Sequence, residues 1–351
     1  MNKKYLAAAV ALSLSPAFAQ STATLYGVID TAVQHQTNAT PTGGTLNAMG
    51  SGSISGSRWG VKGAEDLGGG LKTVYTLEAG FNPTNGSAGQ GGLAFGRQAF
   101  VGMEGDFGRL TGGRQYSVAS EHDFNFDPLW GISNVNESTF YLSYYGNQGS
   151  TFRVNNSLRY SKAFGGLNVA AMYGFGNVAS SSSASAYSGV QASYTTGALN
   201  LGAAYQQTDL NTSASTNLGS TKNAKLSANY GFGPARVYVN YMDSKLGNNG
   251  GKSDVTNLGL NYEITPLLNL VAAYYYDKTS TAASVNGSRS TTALGLSYSF
   301  SKRTMVYAYV DSSHENAGYA AFAIPAGSDI FGSAATVSSR SNVMFGIRHA
   351  F

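Results

Sequence analysis

The chain has 351 residues, a formal charge of +4, no cysteine, 45 glycines, 23 tyrosines and only 7 prolines. The missing cysteines exclude disulfide scaffolds and thiol chemistry. The near-neutral balance gives no basis for nucleic-acid binding, and no run beyond residue 19 approaches the roughly 18 apolar residues of a membrane helix.

The amino-terminal residues predict an export signal. Lys3 and Lys4 precede an apolar run, Tyr5 to Leu14, and Pro16 breaks it before Ala17-Phe18-Ala19. This order of basic, apolar and small residues is that of a secretory signal peptide, 1–19. Removing 19 of 351 residues leaves 332, with 20 basic and 18 acidic groups.

The body, 20–351, reads as short runs alternating at period two, the mark of strands whose faces meet different surroundings. In chain order, one face carries Leu71, Tyr75, Leu77, Ala79 and Phe81, then Leu167, Val169, Ala171, Tyr173 and Phe175. Leu199, Leu201, Ala203 and Tyr205 follow, and later Ala224, Leu226, Ala228 and Tyr230. The opposite face is small or polar, as in Lys72, Thr76 and Glu78, or Lys225, Ser227 and Asn229. Tight connectors are expected at Asp66–Gly70, Gly105–Gly108, Ala163–Gly166, Thr196–Ala198, Gly231–Pro234, Thr265-Pro266 and Ser301–Arg303. Longer ones are expected near 37–51, 83–91, 117–150, 178–185, 210–221, 246–253, 279–288 and 315–335. Seven short and eight long connectors join sixteen strands, which predicts an all-β, 16-stranded antiparallel transmembrane barrel with a polar lumen.

The aromatics follow strand direction. Descending strands end in Tyr160, Tyr194, Tyr230, Tyr262, Tyr298 and Phe300, and Phe351 closes the chain. Rising strands carry Phe81, Phe175, Tyr205 and Tyr241 near their upper ends. Two interfacial girdles result, with both termini on the short-turn side.

Four blocks resemble Gram-negative general porins, and most closely the trimeric porins of neisserial and other betaproteobacterial outer membranes. They are Leu25 to Asp30; Ser57-Arg58-Trp59-Gly60-Val61-Lys62-Gly63 onward to Lys72; Gly96 to Gly102 with Gly113-Arg114-Gln115; and Arg153 through Ser157 to Tyr160. His349 stands where the terminal motif often has Tyr, and the longest loop lacks a Pro-Glu-Phe-Gly-Gly tip. The resemblance implies a homotrimer in the outer membrane, among lipid and lipopolysaccharide, passing small hydrophilic solutes and anions. It also implies that the third loop, here 117–150, folds inward as a constriction, and that arginines matching Arg58, Arg97 and Arg153 line it. Arg114 lies in a family block as well.

Parity supports the basic wall. Trp59 and Val61 outward turn Arg58 and Lys62 inward, and Phe152, Val154, Leu158 and Tyr160 outward turn Arg153 and Arg159 inward. An arginine facing lipid at mid-depth would cost about 2–4 kcal/mol. The loop supplies Glu121, Asp123 and Asp127, with Phe124, Phe126, Leu129 and Trp130 to anchor it. These carboxylates are expected to face the arginines across the channel and set up a transverse field.

Other chemistry is not encoded. Asp123 to Asp127 resembles the start of a calcium loop, but Pro128 replaces its glycine and Asn134 its final glutamate. His35, His122, His314 and His349 are scattered without zinc or triad spacing. No cofactor or metal is expected, and no enzyme activity. A solute-selective channel for dicarboxylate, phosphate or sugar is the alternative, with an outer-membrane barrel enzyme further behind it.

Overall fold

The computed structural model describes residues 21–40, 42–129, 152–247, 251–280, 286–316 and 337–351. The signal peptide expected at 1–19, Trp130 and the rest of the expected third loop through 150 lie outside them.

The first wall strand, β1 (Thr22–Thr40), is long enough to pair with three partners. The second is interrupted: β2a (Gly43–Ser51) pairs with the upper part of β1, and β2b (Arg58–Gly68) with the lower part. Then follow β3 (Leu71–Gly80), β4 (Gln98–Gly105), β5 (Gly108–Tyr116), helix α1 (Val118–Phe126), β6 (Arg153–Phe164), β7 (Leu167–Gly174) and β8 (Tyr187–Thr196). β9 (Leu199–Asp209), β10 (Ser220–Phe232), β11 (Ala235–Leu246), β12 (Gly251–Thr265), β13 (Leu268–Ser280), β14 (Asn286–Ser299), β15 (Thr304–Glu315) and β16 (Ser339–Ala350) complete the wall. Each strand pairs antiparallel with its chain neighbour, and β16 returns to β1, with Val28 opposite Ala350 and Gln36 opposite Asn342. The result is a closed 16-stranded barrel. Closure leaves no edge strand, the condition for putting strands in lipid.

The two faces separate as the alternation predicts. On β10, Lys222, Ala224, Leu226 and Tyr230 are exposed, while Thr221, Asn223, Lys225, Ser227 and Asn229 are buried on the other side. The girdle aromatics Tyr160, Tyr194, Tyr230, Tyr262, Tyr298, Phe300 and Phe351 all lie exposed, as do Phe175, Tyr205 and Tyr241. All seven tight turns fall where expected. Gly165, Gly197 and Gly233 adopt φ of 60°, 56° and 59° in three of them, a conformation glycine reaches without a Cβ clash.

Three expectations are corrected. First, 37–51 is not a connector: β1 runs on to Thr40 and β2a pairs along it. The irregular stretch is 52–57, inside the second strand. Asp30 holds it: its backbone N–H donates to Ser57 Oγ at 3.0 Å, and its carbonyl accepts from Gly52 N–H at 2.8 Å. Second, Phe152 and Val154 do not face lipid. A bulge shifts the β5–β6 register between Gly113 and Gln115, with Asn156 at φ 49°. An extra residue reverses side-chain parity, so Val154 packs with Val118 of α1 and Phe152 packs edge-on against Tyr116 and Phe124. Third, the inner wall of β11–β16 is not purely polar. Met242, Val255, Val271, Tyr275, Tyr309 and Met344 form a buried apolar cluster that receives Leu129.

Candidate functional site

Helix α1 begins where Ser117 caps it, its Oγ accepting from Ser120 N–H at 3.1 Å, and Glu121 lies in the first turn. Both features favour a helix start. The helix lies against β7–β10. A Cβ on Gly202 of β9 would fall 2.4 Å from the Phe126 ring, and one on Gly259 of β12 would fall 2.3 Å from Pro128. Glycine at these two positions lets the segment sit directly on the wall. The Asn240 amide donates to the Phe126 carbonyl at 2.9 Å and closes the helix end.

The loop carboxylates are fastened on this side. Glu121 accepts from Arg159 at 2.5 Å and from Gln191 at 3.2 Å. Asp123 meets Lys225 Nζ at 2.5 Å, with both side chains buried. Asp127 accepts from the Tyr275 hydroxyl and from Leu129 N–H. At least one of the three is expected to approach the cluster of Arg58, Arg97 and Arg153; the contacts that hold them run instead to Arg159, Lys225 and Tyr275. Burial pushes the Asp123 carboxyl up to about 6, against the pull of Lys225. Burial, reinforced by Lys225, pushes His122 down to about 3. Its Nε2 lies 2.8 Å from Ser227 Oγ. Burial also raises Glu121, with Arg159 opposing.

The basic wall organises around a carboxylate of its own. Glu78 on β3 accepts from Arg97 Nε at 2.8 Å and from the Tyr26 hydroxyl at 2.9 Å, and Arg58 Nε stands 3.6 Å away. Arg97 also donates to the Tyr116 hydroxyl at 2.8 Å. Arg153 stacks over the rings of Tyr116 and Phe152, with centroids 5.0 and 4.6 Å from its guanidinium carbon. Phe124 of α1 meets Tyr116 edge-on at 4.9 Å. Lys62 lies over the Tyr26 ring at 5.2 Å. The structure thus brings Arg58, Lys62, Arg97 and Arg153 together. Arg114 bonds to the Gly96 carbonyl and Asn155 Oδ1 and is felt by Arg153 as a neighbouring positive charge. Its ladder partner Ala99 stands opposite Leu77 on the lipid face.

Sequence reasoning noted Glu78 and Lys225 only as polar-face residues and missed Tyr26 and Tyr116. Inward parity of a lone carboxylate on β3, beside two inward arginines, was the available signal for Glu78. Among the described residues no three carboxylates or histidines cluster as a metal site.

A closed sixteen-strand barrel with a polar interior, an apolar exterior and a basic cluster on its inner wall has the architecture of a transmembrane channel. The family model described as "Gram-negative porin" matches residues 6–318, and the chain belongs to that family, an outer-membrane porin. It is 29% identical to outer membrane porin protein 32 of Delftia acidovorans over the full length of both chains. It is 40% identical to an outer membrane porin protein of Bordetella pertussis, over 38% of this chain and 40% of that protein's length. An anion-selective porin from Comamonas acidovorans superposes with a TM-score of 0.77 at 26% identity, covering 95% of this chain and 100% of the other.

Proposed function

We propose that the chain, cleaved after Ala19, forms a trimeric channel for passive diffusion of small hydrophilic solutes, with a preference for anions. Loop 117–150 narrows it, and Arg58, Lys62, Arg97 and Arg153 form the charged side of the constriction. One observation carries the reading: Arg58 and Arg97 flank the carboxylate of Glu78, and Lys62 and Arg153 lie over the rings of Tyr26 and Tyr116, whose hydroxyls reach that carboxylate, while Glu121 and Asp123 are matched by Arg159 and Lys225. The excess positive charge faces water inside low-dielectric walls, which concentrate its potential.

Reversal potentials in a dilute salt gradient test the sign: a channel favouring chloride supports the reading, and one favouring potassium overturns it. The mass in mild detergent should be three times that of a mature subunit beginning at Gln20. A clean monomer, or an amino terminus elsewhere, would refute the corresponding part.

A further inference from the structure

Below helix α1 the inner wall holds a recess of about 410 Å³, which shares no lining residue with the wall around Glu78. It lies beside the tight turns Gly105–Gly108 and Ala163–Gly166, at the end of the lumen away from the long loops. Parity sets its side chains inward. Met103, Leu110 and Tyr160 are exposed on the outer face of β4, β5 and β6, so Glu104, Arg109 and Arg159 face the lumen. Leu167 and Tyr194 fix the outer face of β7 and β8 in the same way, and Asn168 and Ser193 form an inward cross-strand pair.

The two arginines differ in how they are held. Arg159 is fastened at both ends: Nη2 donates to Glu121 at 2.5 Å and Nη1 to Ser161 Oγ at 3.0 Å. Its charge is matched by the loop. Arg109 is loose. Its Nε stands 3.8 Å from Glu104, beyond hydrogen-bond distance, and its guanidinium overhangs the Phe100 ring at 5.6 Å. Among the described residues no group accepts a hydrogen bond from it. Lys72, opposite Glu104 on β3, makes no ion pair with it among those residues. Lys162 also borders the recess but turns its ammonium over the exposed Phe164 ring, at 5.1 Å. A half-exposed pair held apart like Glu104 and Arg109 contributes little to the wall, so opening it costs little. The recess therefore presents one available cation, one available anion and the neutral groups of Asn168 and Ser193.

We propose that this recess is a binding station for small zwitterions of the α-amino acid type, with the carboxylate on Arg109 and the ammonium on Glu104. Three features select that chemistry. The available charges balance, so a plain anion loses to Glu104 what it gains from Arg109, and a plain cation the reverse. The two groups stand on directly opposed residues of adjacent strands, which sets them at the spacing of a short dipolar solute. The planar fork of Arg109 receives a carboxylate through two parallel N–H bonds, and Asn168 and Ser193 are placed for the solute's other polar groups. The station rests on a water-filled lumen and not on the ion preference assigned to the wall around Glu78, which reversal potentials read separately.

The test uses full-length porin in detergent micelles and reads binding by saturation-transfer NMR. The probes are L-alanine, propionate, which lacks the amine, and ethylammonium, which lacks the carboxylate. L-Alanine should bind in the millimolar range and roughly tenfold more tightly than either single-charge probe, the contribution of one charge-assisted contact. Glu104→Gln and Arg109→Gln should each weaken L-alanine by roughly the same factor, with folding checked by heat-modifiable gel mobility. Glu104→Gln should also strengthen propionate binding, because Arg109 is then uncontested. Propionate or ethylammonium binding as tightly as L-alanine overturns the proposal. So does undiminished L-alanine affinity in either folded variant, or no saturation transfer to L-alanine in the wild type. The comparison of probes needs only the wild-type chain, so it decides the matter even if neither variant folds.

Discussion

Replacing Glu78 with glutamine isolates the charge of the basic wall. The side chain is buried, and it receives Arg97 at 2.8 Å and Tyr26 at 2.9 Å. Glutamine has nearly the same shape and keeps an acceptor oxygen for one of these donors. The change therefore adds one net positive charge where an ion must pass. At about 7 Å, one unit charge acts on another with about 0.6 kcal/mol in bulk water, and a Debye length of about 10 Å at 0.1 M salt halves this to about 0.3 kcal/mol. That favours an anion by a factor of about 1.7 and disfavours a cation equally, so the permeability ratio rises about threefold. Focusing by the channel walls acts in the same direction. The assay is the reversal potential of single channels in a dilute salt gradient, repeated near 1 M, where a Debye length of about 3 Å should suppress the effect. Arg97→Gln should move the potential the opposite way. If Glu78→Gln left the reversal potential unchanged, or moved it toward the cation value, the wall would not set selectivity.

The helix gives three more expectations. Asp123 is held up at about 6, so it gains a proton as pH falls through that value, leaving Lys225 uncompensated; anion preference should rise between pH 7.5 and 5. His122, held down at about 3, stays neutral across this range. Asp123→Asn should flatten the step, and Lys225→Met should move it to higher pH. The same raised value means that this site contributes stability in full below the unfolded carboxyl value and loses it as pH rises through about 6. Gly202→Val should lift α1 off the wall, because a Cβ there meets the rings of Phe126 and His122 at 2.4 and 2.8 Å; a changed single-channel conductance with normal trimer yield is expected. Leu129→Ala empties a fully buried seat and should weaken the anchorage by about 2–5 kcal/mol, read as added open-channel noise while heat resistance of the barrel is retained.

The strand count was legible because its signals are local. Period-two alternation and turn glycines depend on a few adjacent residues, and Gly165, Gly197 and Gly233 lie in expected turns. The basic wall was legible through parity wherever parity held. It held at Arg58 and Lys62, where Trp59 and Val61 fix the face. It failed at Phe152 and Val154, because one bulge between Gly113 and Gln115 inverts the faces beyond it, and no composition signal marks a bulge. The extended first hairpin was misread for a related reason: Thr37 to Ser51 is rich in Thr, Gly and Asn, as loops are, yet it pairs along β1.

The partners of the loop carboxylates were illegible for a different reason. Asp123 and Lys225 are 102 positions apart, and nothing in either neighbourhood selects the other. The physical logic appears only with the helix in place. Charged side chains behind α1 leave water and need a counter-charge there, and Arg159 and Lys225 supply it. A carboxylate aimed instead at the arginines would have cancelled the charge of the wall. In the proposed channel the loop would act on permeation mainly by narrowing the path and by presenting Phe124 beside Tyr116, while the field would come from the wall around Glu78. This division separates two kinds of mutation. Changes behind the helix should alter conductance and the pH dependence of ion preference, and changes around Glu78 should alter ion preference at every pH.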